Sequence, residues 1–373
     1  MKRFLKWVLS LLPKRYILFE SIPDLSDNTK AVFDEMVSRG LDRKYKFIWY
    51  VNDCTAWNRK RGENVGYVDA RTRWHRLQYF WYRSLAKCLI SCNRFLCSAS
   101  KRQKSFYLTH GTAIKSVHSY YNVPSTIDYM ITAAEGTNEM MAYELNFDVN
   151  KVRALGFPRN DALLGDVPDA KQYFDGDFDK IIIWYPTFRQ HHNGFKTAVG
   201  GALPILETAE EAERLNEYAR TNSILVVVKP HFAQNVEYIK KHNLSNIRFI
   251  DDSFYTDNAL VPYRFIGGCD ALITDYSSVY FDYLLCDKPI GVVWADIEEY
   301  RQNPGFAIDL DQYLSGAEKI YTLDDFKKFL ENVASGNDIK KAERNKICDW
   351  ANISRDGKNS ERVVDFIVSA ANL

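Results

Sequence analysis

Nine short apolar runs rich in β-branched residues recur along the chain, at 45–51 (YKFIWYV), 87–91 (KCLIS), 105–108 (SFYL), 129–132 (YMIT), 180–185 (KIIIWY), 224–228 (ILVVV), 247–250 (IRFI), 271–274 (ALIT) and 290–293 (IGVV). Runs of this length without polar alternation suit strands covered on both faces, as in a parallel sheet. Helical patterns lie between them, at 208–221 and 236–242 for example, and the alternation predicts an α/β architecture. At 373 residues the chain exceeds what one core holds comfortably, so two domains are expected. The polar stretch 166–179 (DVPDAKQYFDGDFD) reads as the linker between them. The expected organisation is a basic amphipathic helix at 1–15, α/β domains at 16–165 and 175–348, and a helical segment at 349–373.

The net charge of +1 hides an asymmetry. Residues 1–15 carry Lys2, Arg3, Lys6, Lys14 and Arg15 with no acid, and residues 57–104 carry twelve basic residues against Glu63 and Asp69. On a helix, Phe4, Leu5, Val8, Leu11 and Leu12 share one face opposite Lys2, Arg3 and Lys6, with Pro13 ending it. Such a helix suits the headgroup layer of an anionic membrane. A signal peptide fits less well, because Lys6 interrupts the apolar stretch and no small-residue cleavage site follows. Trp74, Tyr79, Phe80, Trp81 and Tyr82 sit among the basic residues of the second cluster. No nucleic-acid fold signature accompanies them, so an anionic lipid surface or polyanionic acceptor is the expected partner rather than nucleic acid. The longest apolar run is too short to span a bilayer. The seven cysteines form no CxxC pair, which argues for a reducing cytosol rather than a disulfide framework.

Five polar motifs follow predicted strands: His110-Gly111-Thr112, Gly156-Phe157-Pro158-Arg159-Asn160-Asp161, Pro186-Thr187-Phe188-Arg189, Lys229-Pro230-His231 and Thr274-Asp275-Tyr276-Ser277-Ser278. In open α/β sheets ligands bind beyond the carboxyl ends of strands, so these loops are placed to converge on a cleft. Ser277 and Ser278 open an apolar helix whose N-terminus suits phosphate, with simple N-capping as the competing reading. His110 is a candidate general base and Gly111 permits close approach of a ligand. His231 is a candidate partner for a charged leaving group. Arg159 and Arg189 read either as phosphate clamps or as salt-bridge residues. Asp177-Phe178-Asp179 and Asp309-Leu310-Asp311 match the DxD of metal-dependent sugar transferases, but such pairs arise readily among 48 acids. His191-His192 lacks metal-ligand spacing. No P-loop, GxGxxG or GxSxG pattern is present.

Taken together, these stretches resemble the CDP-glycerol glycerophosphotransferase family of teichoic acid and capsular polymer synthesis. They are joined by Thr274-Asp-Tyr-Ser-Ser-Val279 with Phe281-Asp282-Tyr283, and by Asp356-Gly-Lys358. The resemblance spans roughly residues 105–360 and implies a GT-B-like fold of two Rossmann-like domains with a cleft between them. It implies that His110 takes the proton of an acceptor hydroxyl, whose oxygen attacks the β-phosphorus of CDP-glycerol as CMP leaves. His231, Ser277, Ser278 and Arg189 would hold the pyrophosphate, with Gly111, Thr112, Arg159, Asn160, Thr187, Lys229, Thr274, Asp275 and Asp282 completing the donor site. No metal or other cofactor belongs to this expectation. The implied acceptor is a lipid-linked saccharide or polyol phosphate at the cytoplasmic face of the membrane. One departure stands out: the Arg-Gly-Phe that usually follows Glu-Tyr in the family is Pro304-Gly305-Phe306 here, leaving Arg301 as a substitute. A nucleotide-sugar glycosyltransferase, a CDP-ribitol-dependent enzyme and a non-catalytic scaffold are the alternative readings.

Overall fold

A computed structural model describes residues 12–57, 64–187, 203–230, 234, 236–302 and 304–373. They form two units. The first comprises the described residues through Thr112 together with His118–Asp161 and Asp356–Leu373; the second comprises Ala113–Val117 and Ala162–Arg355.

The first unit is built on seven strands: β1 (Tyr16–Glu20), β2 (Lys46–Tyr50), β3 (Val65–Val68), β4 (Ala86–Ser91), β5 (Lys104–Tyr107), β6 (Tyr129–Thr132) and β7 (Val152–Ala154). Their order is β3-β2-β1-β4-β5-β6-β7, every pair parallel. Alternate residues of β1 feed opposite faces. Ile17 and Phe19 pack with Val32 and Met36 of the Asp27–Ser38 helix and with Val363, Val364 and Ile367 of the Asn359–Ala371 helix. Leu18 points the other way, beside Ile48 and Leu89, where Tyr79 and Tyr82 of the Arg73–Leu85 helix cover the sheet.

The second unit has six strands: β8 (Lys180–Trp184), β9 (Ile224–Val228), β10 (Ile247–Phe249), β11 (Ala271–Thr274), β12 (Ile290–Val293) and β13 (Glu318–Ile320). They run in the order β10-β9-β8-β11-β12-β13, again all parallel. Ile182, Trp184 and Val226 meet Leu215 of the Ala209–Thr221 helix and Phe326 of the Leu323–Ser335 helix on one face. Ile181, Ile183, Leu225 and Val227 pack with Phe265, Tyr280 and Ile347 on the other. Capping boxes start the two helices, Thr208 with Glu211 and Thr322 with Asp325. Both sheets have the doubly wound order, with the direction of strand addition reversing between β1 and β4 and between β8 and β11.

The nine predicted strands all correspond to observed ones; β1, β3, β7 and β13 were not foreseen. The expected linker is a structured part of the second unit. Ala170 is fully buried, and Tyr173, Phe174 and Phe178 pack on the core. Gly268 lies so close to this stretch that a Cβ there would sit 2.0 Å from the Pro168 carbonyl oxygen. The chain passes between units at 161–162, and Asp356–Leu373 returns to the first unit instead of forming a segment of its own. Most of the basic segment 1–15 lies outside the described residues. Among the described residues, no helix is long and apolar enough to cross a membrane.

Candidate active site

In the first unit, the loop after β5 carries His110. Thr109 takes a left-handed φ of 52° and Gly111 a φ of 138°, a region that favours glycine. The backbone is held against this strain from three sides. The Thr109 hydroxyl donates to the Ile131 carbonyl at 3.1 Å. The Asn28 amide donates to the Thr109 carbonyl at 3.1 Å. Arg159 donates to the His110 carbonyl at 3.0 Å and to the Asp27 carboxylate at 2.7 Å, while its backbone N–H reaches Asn28 Oδ1. The imidazole itself is solvent-exposed, with Nδ1 3.3 Å from the Cys92 carbonyl oxygen. A carbonyl only accepts, so Nδ1 carries the proton and Nε2 presents a lone pair outward. This is the tautomer a general base needs.

Beneath that carbonyl lies Glu20, the last residue of β1, at the point where strand order reverses. It is fully buried. One carboxylate oxygen accepts from the backbone N–H groups of Asn93 and Arg94 at 3.2 and 2.8 Å, and the Cys92 N–H reaches the Glu20 carbonyl. Burial pushes this carboxyl above the usual range, against the opposing pull of those N–H donors. Neither Glu20 nor the Asp27–Asn28 pair was singled out from sequence, because residues some 80 or more positions from His110 carry no local signal of joining its loop.

Arg159 thereby pairs with Asp27 and braces the His110 loop. Asn160 is fully buried in the short turn Pro158–Asn160. Asp161 accepts the Asn359 and Ser360 N–H groups at the start of the C-terminal helix, at 2.8 and 2.7 Å. Gly156 has φ 84°, and a Cβ there would meet Asn359 Oδ1 at 1.9 Å. Asp356 pairs with Arg362 at 2.8 Å. Gly156–Asp161 and Asp356–Lys358 therefore serve as the joint that docks this helix. Thr112 is buried.

In the second unit, the neighbouring ends of β8 and β11 meet at the other reversal of strand order. Buried Asp275 accepts the Thr187 backbone N–H at 2.7 Å and the Thr187 hydroxyl as well. The Thr274 hydroxyl donates to the Tyr185 carbonyl at 3.0 Å. Both residues, expected at the donor site, tie two strand ends together. Asp282 is likewise internal, accepting from the Tyr263 hydroxyl at 2.6 Å. Ser277 and Ser278 are half-buried at the head of the five-residue Val279–Tyr283 helix. The Ser278 side chain makes no cap hydrogen bond, so N-capping does not explain its presence. Lys229, at the end of β9, pairs with Asp252 at 3.0 Å. Asp309 caps the Leu310–Tyr313 helix and Asp311 pairs with Lys319. Arg301 pairs with Glu298 and lies 3.9 Å from Asp311. The Pro304-Gly305-Phe306 stretch runs beside 113–117: Ser116 donates to the Gly305 carbonyl at 3.0 Å, and Lys115 bridges Phe306. Arg189, His191, His192 and His231 lie outside the described residues.

A pair of doubly wound parallel sheets, with histidine, serine and threonine side chains in the loops after the strands, defines an α/β protein of two Rossmann-like units. The chain belongs to the CDP-glycerol:poly(glycerophosphate) glycerophosphotransferase family, whose sequence profile matches residues 2–369. It is 26% identical over 344 residues to a teichoic acid poly(glycerol phosphate) polymerase of Bacillus spizizenii, covering 83% of this chain and 82% of that protein. A teichoic acid ribitol-phosphate primase of the same organism is 26% identical over 269 residues, with 69% of this chain and 61% of that protein covered. The wall teichoic acid polymerase TagF has a similar fold, with TM-score 0.74 and 20% identity over 98% of this chain and 93% of that one. The enzyme is thus a glycerophosphotransferase of the class that builds teichoic acids.

Proposed function

We propose that this enzyme transfers a polyol phosphate from CDP-glycerol to a terminal hydroxyl of a lipid-linked acceptor or growing polyol-phosphate chain. His110 Nε2 takes the hydroxyl proton, the oxygen forms a bond to the β-phosphorus, and the bond from that phosphorus to the bridging oxygen breaks. CMP leaves with the bond's electron pair. Ser277, Ser278 and the backbone N–H groups beside them hold the pyrophosphate, with Arg189 and His231 as further partners. Such a reaction draws mainly on positioning and charge stabilisation. The observation that carries the reading is the Cys92 carbonyl at His110 Nδ1, which leaves Nε2 as the proton acceptor. A structure of TagF soaked with CDPG, at TM-score 0.71 and 20% identity, supports the donor class.

Ribitol phosphate is the second reading, favoured by similarity to the ribitol-phosphate primase. The site of action is the cytoplasmic face of the membrane, with the enzyme attached peripherally. Two features support that attachment: the basic start of the chain, and the Arg73–Leu85 helix, which exposes Trp74, Leu77 and Trp81 on one face. The deciding experiment is CMP release by purified protein offered CDP-glycerol, CDP-ribitol and UDP-sugars in parallel, with and without lipid acceptor. CMP from CDP-glycerol alone supports the proposal, CMP from CDP-ribitol alone moves it to the second reading, and turnover of a UDP-sugar alone refutes both.

A further inference from the structure

A cavity of about 420 Å³ opens in the first unit among Lys14, Tyr45, Lys87, Lys101, Arg102 and Lys104. It lies at the amino ends of β4 and β5, which begin at Ala86 and Lys104, whereas His110 follows the carboxyl end of β5. Among the described residues, five cations line it and no Asp or Glu side chain does. Asp128, which is not part of the lining, lies 3.6 Å from Lys104. The Asn359–Ala371 helix ends here. Its carbonyl end carries only about half a negative charge, far below the charge around the cavity. Lys14 is held in place by the Ser84 carbonyl at 2.6 Å. Burial, and then the charge of Arg102, push its pKa down. Crowding like charges around a concave space costs free energy that a bound anion repays. The volume falls within the roughly 300–1,000 Å³ of small-molecule sites.

We infer that this cavity is a binding site for a phosphate group carried on a polyol, separate from the place of phosphoryl transfer. The two sources that fit are a soluble glycerol phosphate unit and the headgroup of an anionic phospholipid. The choice of sources rests on the function proposed above, whereas the cavity's charge does not.

The test uses the full chain, wild type against Lys101→Glu and the double variant Lys87→Glu/Lys101→Glu. Unchanged melting temperature and unchanged CMP release from CDP-glycerol serve as controls for folding and for the reaction centre. Glycerol 3-phosphate is titrated calorimetrically with CMP in excess, and cosedimentation is measured with phosphatidylglycerol vesicles against phosphatidylcholine vesicles. Binding of glycerol 3-phosphate that weakens tenfold or more in the double variant, and less in the single one, supports a soluble source. Binding confined to phosphatidylglycerol vesicles, with the same loss, supports the headgroup. If neither probe binds, or if both variants bind as wild type does, the inference is overturned. CMP release remains readable in every case, so failure here is distinct from failure of the proposed reaction.

Discussion

His110 Nδ1 lies 3.3 Å from the carbonyl oxygen of Cys92, and that contact decides which ring nitrogen is free to take a proton. The carbonyl belongs to a turn fixed by Glu20 through the N–H groups of Asn93 and Arg94. The ring orientation of His110 is thus set from the reversal point of the first sheet.

His110→Ala is expected to lower kcat by roughly 10²–10⁴-fold, the usual range for losing a general base. Donor affinity should change by no more than a few-fold. Single-turnover CMP release and calorimetric titration with CDP-glycerol separate the two. A variant that turns over normally, or one that fails mainly in donor binding, rules out the assigned role.

Arg159 and Asp27 form a 2.7 Å pair whose side chains are 11% and 16% exposed. Because the same guanidinium holds the His110 carbonyl, the pair acts on His110 through its loop. Arg159→Ala and Asp27→Ala should each reduce kcat by about tenfold, some 1.4 kcal/mol in the barrier, with KM for the donor little altered. Their double-mutant cycle should give a coupling energy on the order of 0.5–3 kcal/mol. Additive effects would show that the two residues act independently.

Glu20 supplies a pH signature. Its folded pKa is raised by burial. A carboxyl with a raised native pKa stabilises the fold fully below its unfolded value, about 4.3. That contribution is lost as pH rises through the native value. Glu20→Gln stays uncharged, so its melting temperature relative to wild type should climb from pH 4 upward and level off above the native pKa. Thermal melts from pH 4 to 8 read this directly. A difference that stays flat, or falls with pH, contradicts a buried carboxyl that is costly to ionise.

The central architecture is legible in the sequence because buried parallel strands must be apolar on both faces, and runs such as Ile224–Val228 have no other use. β1 is central too, but its run abuts a basic segment and ends in Glu20, and a buried acid looks like surface to any pattern rule. β7 and β13 have three residues each, too few to show a period. The stretch 166–179 reads as a linker for a related reason. Polar composition at 166–179 conceals Tyr173, Phe174 and Phe178, whose rings reach the core. At the site, His110, Ser277 and Ser278 stand out as residue types with chemistry at strand ends. The groups that brace the His110 loop are distant in sequence, and Asp275, Thr274 and Arg159 each make supporting contacts that no local pattern announces.

Asp275 offers the sharpest test of that supporting role. It is fully buried at the end of β11 and accepts both the backbone N–H and the hydroxyl of Thr187 beyond β8. If it contacted the donor as a ligand, Asp275→Asn would impair turnover about as much as Asp275→Ala. As a tie between strand ends, the carboxylate is needed chiefly as an acceptor, which asparagine retains on one oxygen. Asp275→Ala leaves the Thr187 N–H without its acceptor and should cost about 1–3 kcal/mol in stability, with KM for CDP-glycerol rising as the loop loosens. Asp275→Asn should recover most of the melting temperature and most of the KM. Thr187→Val, which removes only the hydroxyl, should fall between wild type and Asp275→Ala. Equal loss of activity in both Asp275 variants at wild-type stability would instead place this carboxylate on the substrate.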